Sequence, residues 1–208
     1  MKAVPPSCRR LAWGGVAGPV GFTGAWVAAA ALRPAYQPVQ DTISRLAAVG
    51  ATNRWLMTAG FVAFGVGVPL YARALRDAVP GCAWMAAVGT GVATLGVAAV
   101  PLEVSGAVYT VHDIAAGAGY VALAAIPLLA APAFRTGRRR RAATMSTAAG
   151  ASCAVVLLSS LAGTATGALQ RAGLGIGHAW VVASAVWMLA GGRIMPASNL
   201  TAPTTEGA

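Results

Sequence analysis

The chain of 208 residues is 57% hydrophobic and only 10% charged, with a mean hydropathy of +0.68. Ordinary globular domains carry about 25% charged residues, so this chain lacks the polar surface of a water-soluble body, and it is too apolar for intrinsic disorder. Its net charge of +10 comes from 15 basic against 5 acidic residues, and their placement decides what the charge is for.

The charged residues leave six uncharged runs, at 11–32, 55–72, 78–102, 114–134, 142–170 and 172–192, of which the shortest has 18 residues. Crossing the hydrocarbon core takes about 20 apolar residues, and stretches of about 17 to 25 qualify. Backbone in lipid must satisfy its own hydrogen bonds, so each run is read as a helix. The fold class is all-α, a polytopic six-helix transmembrane bundle with a short interfacial helix after helix one. A single membrane domain spans 1–192, and a polar tail over 193–208 is expected to be disordered.

Lys2, Arg9 and Arg10 precede the first run, as they would in a secretory signal. A signal's apolar core is about 7 to 15 residues long, whereas this run is longer and holds Trp13, Pro19 and Trp26, so it stays as helix one. Gly14 and Gly18 give it the spacing that lets membrane helices approach closely. The loop that follows reads Arg33-Pro-Ala-Tyr-Gln-Pro-Val-Gln-Asp-Thr-Ile-Ser-Arg-Leu-Ala-Ala-Val-Gly50. Val39, Ile43, Leu46 and Ala47 recur at helical spacing, Pro38 suits a first helical turn, and Asp41 can pair with Arg45 four residues on. An interfacial or re-entrant lid is expected here. Tyr36, Ser44 and Arg45 are its candidate substrate-binding residues, and Asp41 a candidate acid or base.

Helix four opens with Tyr109-Thr-Val-His-Asp-Ile-Ala-Ala-Gly-Ala-Gly-Tyr120, in which Tyr109, His112, Ala116 and Tyr120 share a helical face. His112, Asp113 and the nearby Glu103 are candidate catalytic residues, and Tyr109 a candidate substrate contact. Asp113 is also placed where a first-turn carboxylate favours the helix dipole. Helix five is read with a polar stripe of Ser152, Ser159, Gly163, Thr166 and Gln170, and Gly163 and Gly167 repeat the small-residue spacing. Gln170, Arg171 and His178 are placed at the outer ends of helices five and six as further substrate-binding candidates.

Lys and Arg are retained on the cytoplasmic side. Lys2, Arg9, Arg10, Arg73, Arg76, Arg135, Arg138, Arg139, Arg140, Arg141 and Arg193 fall on the side of the termini, against Arg33, Arg45, Arg54 and Arg171 on the other. The reading is a plasma-membrane protein with both termini cytoplasmic. The basic run Arg138, Arg139, Arg140 and Arg141 is expected to meet anionic lipid headgroups. No aromatic-interleaved basic surface points to nucleic acid. Asp41, Glu103 and Asp113, with both histidines, lie on the outer face, and the middle of the spans holds no ionisable residue.

Cys8, Cys82 and Cys153 are scattered without CxxC spacing and suggest neither a disulfide nor zinc. Glu103, His112, Asp113 and His178 are suitable ligand types, but no fixed-spacing pair such as HExxH accompanies them, so no metal or cofactor is assigned. Nucleophile-elbow, P-loop and dinucleotide motifs are also missing.

The loop Tyr36-Gln-Pro-Val-Gln-Asp-Thr-Ile-Ser-Arg-Leu46, His112 at the head of helix four, and Gly167-Ala-Leu-Gln-Arg-Ala-Gly173 together resemble the bacterial integral membrane family catalogued as domain of unknown function nine-nine-eight, over roughly residues 10 to 192. Members commonly carry an acid soon after the loop serine, where this chain has Arg45. The resemblance implies six helices and no particular activity. The residues themselves suggest an outer polar pocket that binds or transforms a lipid or isoprenoid-like amphiphile through acid and base groups. The alternatives are a small-solute transporter or channel, and an accessory protein docking or oligomerising through its glycine-rich faces.

Overall fold

The computed structural model describes residues 9–102 and 106–194. Lys2, Cys8, Glu103 and most of the expected tail, 195–208, lie outside that range. Six helices follow one another, with no strand among the described residues: α1 (Gly14–Ala31), α2 (Arg54–Ala78), α3 (Ala83–Ala99), α4 (Gly106–Thr136), α5 (Arg140–Ser159) and α6 (Thr166–Leu189). Short 3₁₀ turns stand at Leu11–Trp13, Ile43–Leu46 and Ser160–Ala162. Four helices, α2, α4, α5 with its 3₁₀ extension, and α6, are long and apolar enough to cross a membrane. The apolar α3 has 17 residues and reaches about 26 Å at 1.5 Å per residue.

Each helix packs beside its successor, and α6 returns against α1 to close the ring while also touching α2 and α4. The α1–α2 seam is the close approach expected of Gly14 and Gly18, made here within the chain. A Cβ on Gly67 would stand 2.7 Å from the Gly14 carbonyl oxygen and 3.1 Å from Gly18 Cα, so any side chain there would force the two backbones apart. Large apolar residues with no exposure, Met57, Val68, Leu75 and Ile126 among them, fill the interior.

Towards the termini, buried polar groups are paired. Tyr71 Oη lies 2.7 Å from Ser184 Oγ, which itself donates to the Val181 carbonyl. Trp180 Nε1 donates to Ser146 Oγ at 3.0 Å. Arg76 lies over Trp84 and Arg139 over Trp187 at the same end. Ile194 is buried and donates its N–H to the Ala78 carbonyl at 2.8 Å, so the packed chain continues to that residue.

The boundary between the fifth and sixth helices differs from the sequence reading. The uncharged run at 142–170 contains a full turn: α5 ends at Ser159, Gly163 adopts φ +84°, Ala165 adopts φ +51°, and α6 begins at Thr166. Left-handed backbone is what glycine tolerates, and here it reverses the chain without any charge to mark the place. Gly163 therefore sits in a turn, Thr166 and Gln170 belong to α6, and the expected stripe on helix five ends at Ser159. Gly163 and Gly167 do not share a helix. His178 moves correspondingly, from the expected outer end to the middle of a 24-residue helix, so an ionisable side chain does occupy the centre of a span.

Candidate functional site

The α1–α2 connection folds over one end of the ring as a lid. Its expected helix from Pro38 is reduced to the 3₁₀ turn Ile43–Leu46, and the reason lies in where the carbonyls go. Arg171 Nη1 on α6 donates to the carbonyls of Pro38 at 2.7 Å and Asp41 at 3.0 Å, oxygens that a continuing helix would use internally. Ala168 N–H takes the Val39 carbonyl at 3.0 Å. The approach is so close that a Cβ on Gly167 would lie 2.3 Å from the Asp41 oxygen and 2.5 Å from that of Pro38. Of the four residues at helical spacing, Ile43, Leu46 and Ala47 are buried beneath the lid while Val39 is exposed.

Arg171 also donates through Nη2 to Tyr36 Oη and stacks between the Trp26 and Tyr36 rings. Tyr36 is buried and reaches the Asp41 and Thr42 carbonyls. Burial pushes its phenol above the usual value, and the Arg171 charge pulls part of the way back. Asp41 forms the expected ion pair with Arg45 at 2.8 Å, and its other oxygen accepts the Gln37 N–H at 2.9 Å. Its carboxylate thus holds the lid's own turn.

Beneath the lid the helices line a partly open chamber of about 40 Å³, room for water-sized molecules. Phe22 of α1, Phe61 and Phe64 of α2, and Leu123 of α4 give it apolar walls. Its polar lining is Ser44, Thr90, Thr94, Tyr120, Gln170 and His178, all uncharged except for the titratable imidazole. Gln170 ties roof to wall: its Oε1 accepts the Ile43 N–H at 2.8 Å and its Nε2 donates to Tyr120 Oη. Thr90 Oγ1 donates to the Gly119 carbonyl at 2.9 Å. From Gln170 to His178 the α6 axis advances about 12 Å at 1.5 Å per residue, so the chamber's wall extends from the lid to the middle of the bundle.

Ser44, Gln170 and His178 are thus brought together, with Tyr36 and Arg171 in the lid clamp beside them. The remaining candidates lie elsewhere. His112 is buried, its Nδ1 2.7 Å from the Val100 carbonyl and its Nε2 without a hydrogen-bond partner, but it does not line the chamber. Tyr109 and Asp113 are exposed. Because α4 starts by Gly106, Asp113 stands beyond its first turn rather than within it. Among the described residues no three His, Cys, Asp or Glu side chains converge as metal ligands would.

Sequence reasoning missed the aromatic wall. Phe22, Phe61 and Phe64 read as ordinary span residues, and only their meeting in three dimensions gives them a common purpose. Trp26 was weighed only as a span residue. Gly167 was weighed as a helix-packing residue, whereas its neighbour is lid backbone. Tyr120, spaced on the His112 face, does reach the chamber.

Comparison with known proteins gives one positive result: the family described as "Protein of unknown function (DUF998)" matches residues 16–187. No curated protein and no solved structure matches the chain.

Proposed function

We propose that this chain, which belongs to the family described as "Protein of unknown function (DUF998)", binds an uncharged amphiphile taken from the bilayer. The observation that carries the reading is a chamber with phenylalanine walls and a hydrogen-bonding roof, covered by a lid that is held to α6 through Gln170 and Arg171. Apolar walls with a few placed polar groups are the usual constitution of a small-molecule site. At about 40 Å³ the chamber is smaller than an amphiphile, so entry requires it to widen, and release of the Gln170 and Arg171 contacts to the lid would widen it. The reading is one of binding: among the described residues the chamber's polar groups are hydroxyls, an amide and an imidazole, and Asp41 is engaged with Arg45 and Gln37.

The ligand enters from the outer face, with the termini in the cytoplasm of a plasma-membrane protein; the Lys and Arg bias supports that orientation. Arg138, Arg139, Arg140 and Arg141 are exposed at the α4–α5 turn and meet anionic headgroups there.

Native mass spectrometry of the protein released from gentle detergent tests the reading. A discrete adduct on the wild type, lost when Ala116→Phe fills the chamber, is the expected result; an adduct that survives the filling, or bare protein in both, overturns it. One observation favours a second reading, passage of a small neutral solute: the chamber already fits water-sized molecules. Proteoliposome swelling in a glycerol gradient, slowed by Ala116→Phe, would select that reading instead.

A further inference from the structure

Eight polar side chains are buried in the described bundle: Ser44, Thr90, His112, Ser146, Ser160, Gln170, His178 and Ser184. Six of them form at least one hydrogen bond through the side chain. The other two, Ser44 and His178, form none among the described residues, and both line the same chamber. His178 is 6% exposed, with its ring 4.6 Å from that of Phe64 and edge-on to that of Phe22 at 5.2 Å. Neither is sealed into the packing as the His112 Nε2 is; among the described residues Ser44 and His178 open onto the chamber. A polar group at such a wall loses its hydrogen bonds to water unless the chamber's occupant supplies them, so the two side chains mark where an occupant makes bonds.

We infer that Ser44 at the roof and His178 at the floor are the hydrogen-bonding contacts of the chamber's ligand, and that the ligand is a neutral alcohol. This rests on reading the chamber as a ligand site and names the chemistry it selects. A neutral imidazole offers one donor and one acceptor, and a hydroxyl can answer either. A carboxylate or ammonium ligand would find no opposite charge on the walls, and burying an unpaired ion is far more costly than burying a hydroxyl. A pure hydrocarbon would leave both side chains as they are. The phenylalanines fix the imidazole's plane, so the alcohol is recognised by position as well as by polarity.

The chain has only two histidines, which makes the test direct. The wild type, labelled with ¹⁵N-histidine and reconstituted in lipid nanodiscs, is titrated with 1-octanol, octanoate and octane, with His112→Gln used to assign the signals. The expected result is a saturable shift of the His178 nitrogens with 1-octanol, absent with octane and octanoate, lost in Ala116→Phe, and weakened severalfold in Ser44→Ala. If 1-octanol saturably quenches the protein's tryptophan fluorescence and Ala116→Phe removes that quenching, yet the His178 nitrogens stay still, the chamber reading stands and this inference fails. Equal responses to octane and 1-octanol also overturn it. Binding unaffected by Ala116→Phe overturns both readings together.

Discussion

Towards the termini, Tyr71 and Ser184 share a hydrogen bond and Trp180 reaches Ser146, while beneath the lid Ser44 and His178 stand in an otherwise similar apolar interior without partners. The contrast separates two uses of polarity in a membrane bundle. Paired polar groups hold helices together, each such bond contributing about 0.6 to 1 kcal/mol. Those that open onto the chamber have, under the proposed function, their bonds completed by its ligand. Paired groups occur at the lid end too, Gln170 with Tyr120 and Thr90 with the Gly119 carbonyl among them; what the chamber adds is Ser44 and His178, whose bonds are left to its occupant.

The hardest way to break the comparison is to lift the lid. Gly167→Leu would drive a side chain into the Pro38 and Asp41 backbone, and we expect a loss of about 3 kcal/mol, read from unfolding in detergent, together with new protease cleavage between residues 37 and 47. Arg171→Met should come next, at about 2 kcal/mol, since it removes charge-assisted bonds to two lid carbonyls and to Tyr36; lid cleavage without loss of the folded ring is the accompanying signature. The paired and unpaired ends are then compared directly. Tyr71→Phe should destabilise by about 0.6 to 1 kcal/mol, whereas His178→Phe, placed among Phe22 and Phe64, should leave the empty protein unchanged or more stable. Equal losses at both positions would erase the distinction. Asp41→Asn is the mildest of the expected losses, about 0.5 kcal/mol, because its partner Arg45 is exposed and surface pairs contribute little.

Much of the fold was legible because lipid imposes a length and charges punctuate it. Four of the six helices were bounded at both ends by charged residues at or near them. The exception was the turn at 163–165, where the reversal depends on left-handed backbone at Gly163 and Ala165 and no charge interrupts the run. That single omission displaced Gln170 and His178 from their correct depths. The Asp41–Arg45 pair was readable because it is local in sequence. The chamber was not, since Phe22, Phe64, Tyr120 and His178 come from four helices and the phenylalanines do not differ in type from ordinary span residues.

The Arg171 contact with the Pro38 carbonyl joins positions 133 residues apart, and it has a consequence for biogenesis. The ribosome releases the lid well before α6, so five helices reach the bilayer while the surface that receives the lid has yet to be made. Until then the phenylalanine wall borders an open cleft, exposed to whatever lipid or chaperone is near. Completion of the chamber therefore waits for α6, and a truncated product lacking α6 should be distinguishable to the membrane's proteases by an undocked loop.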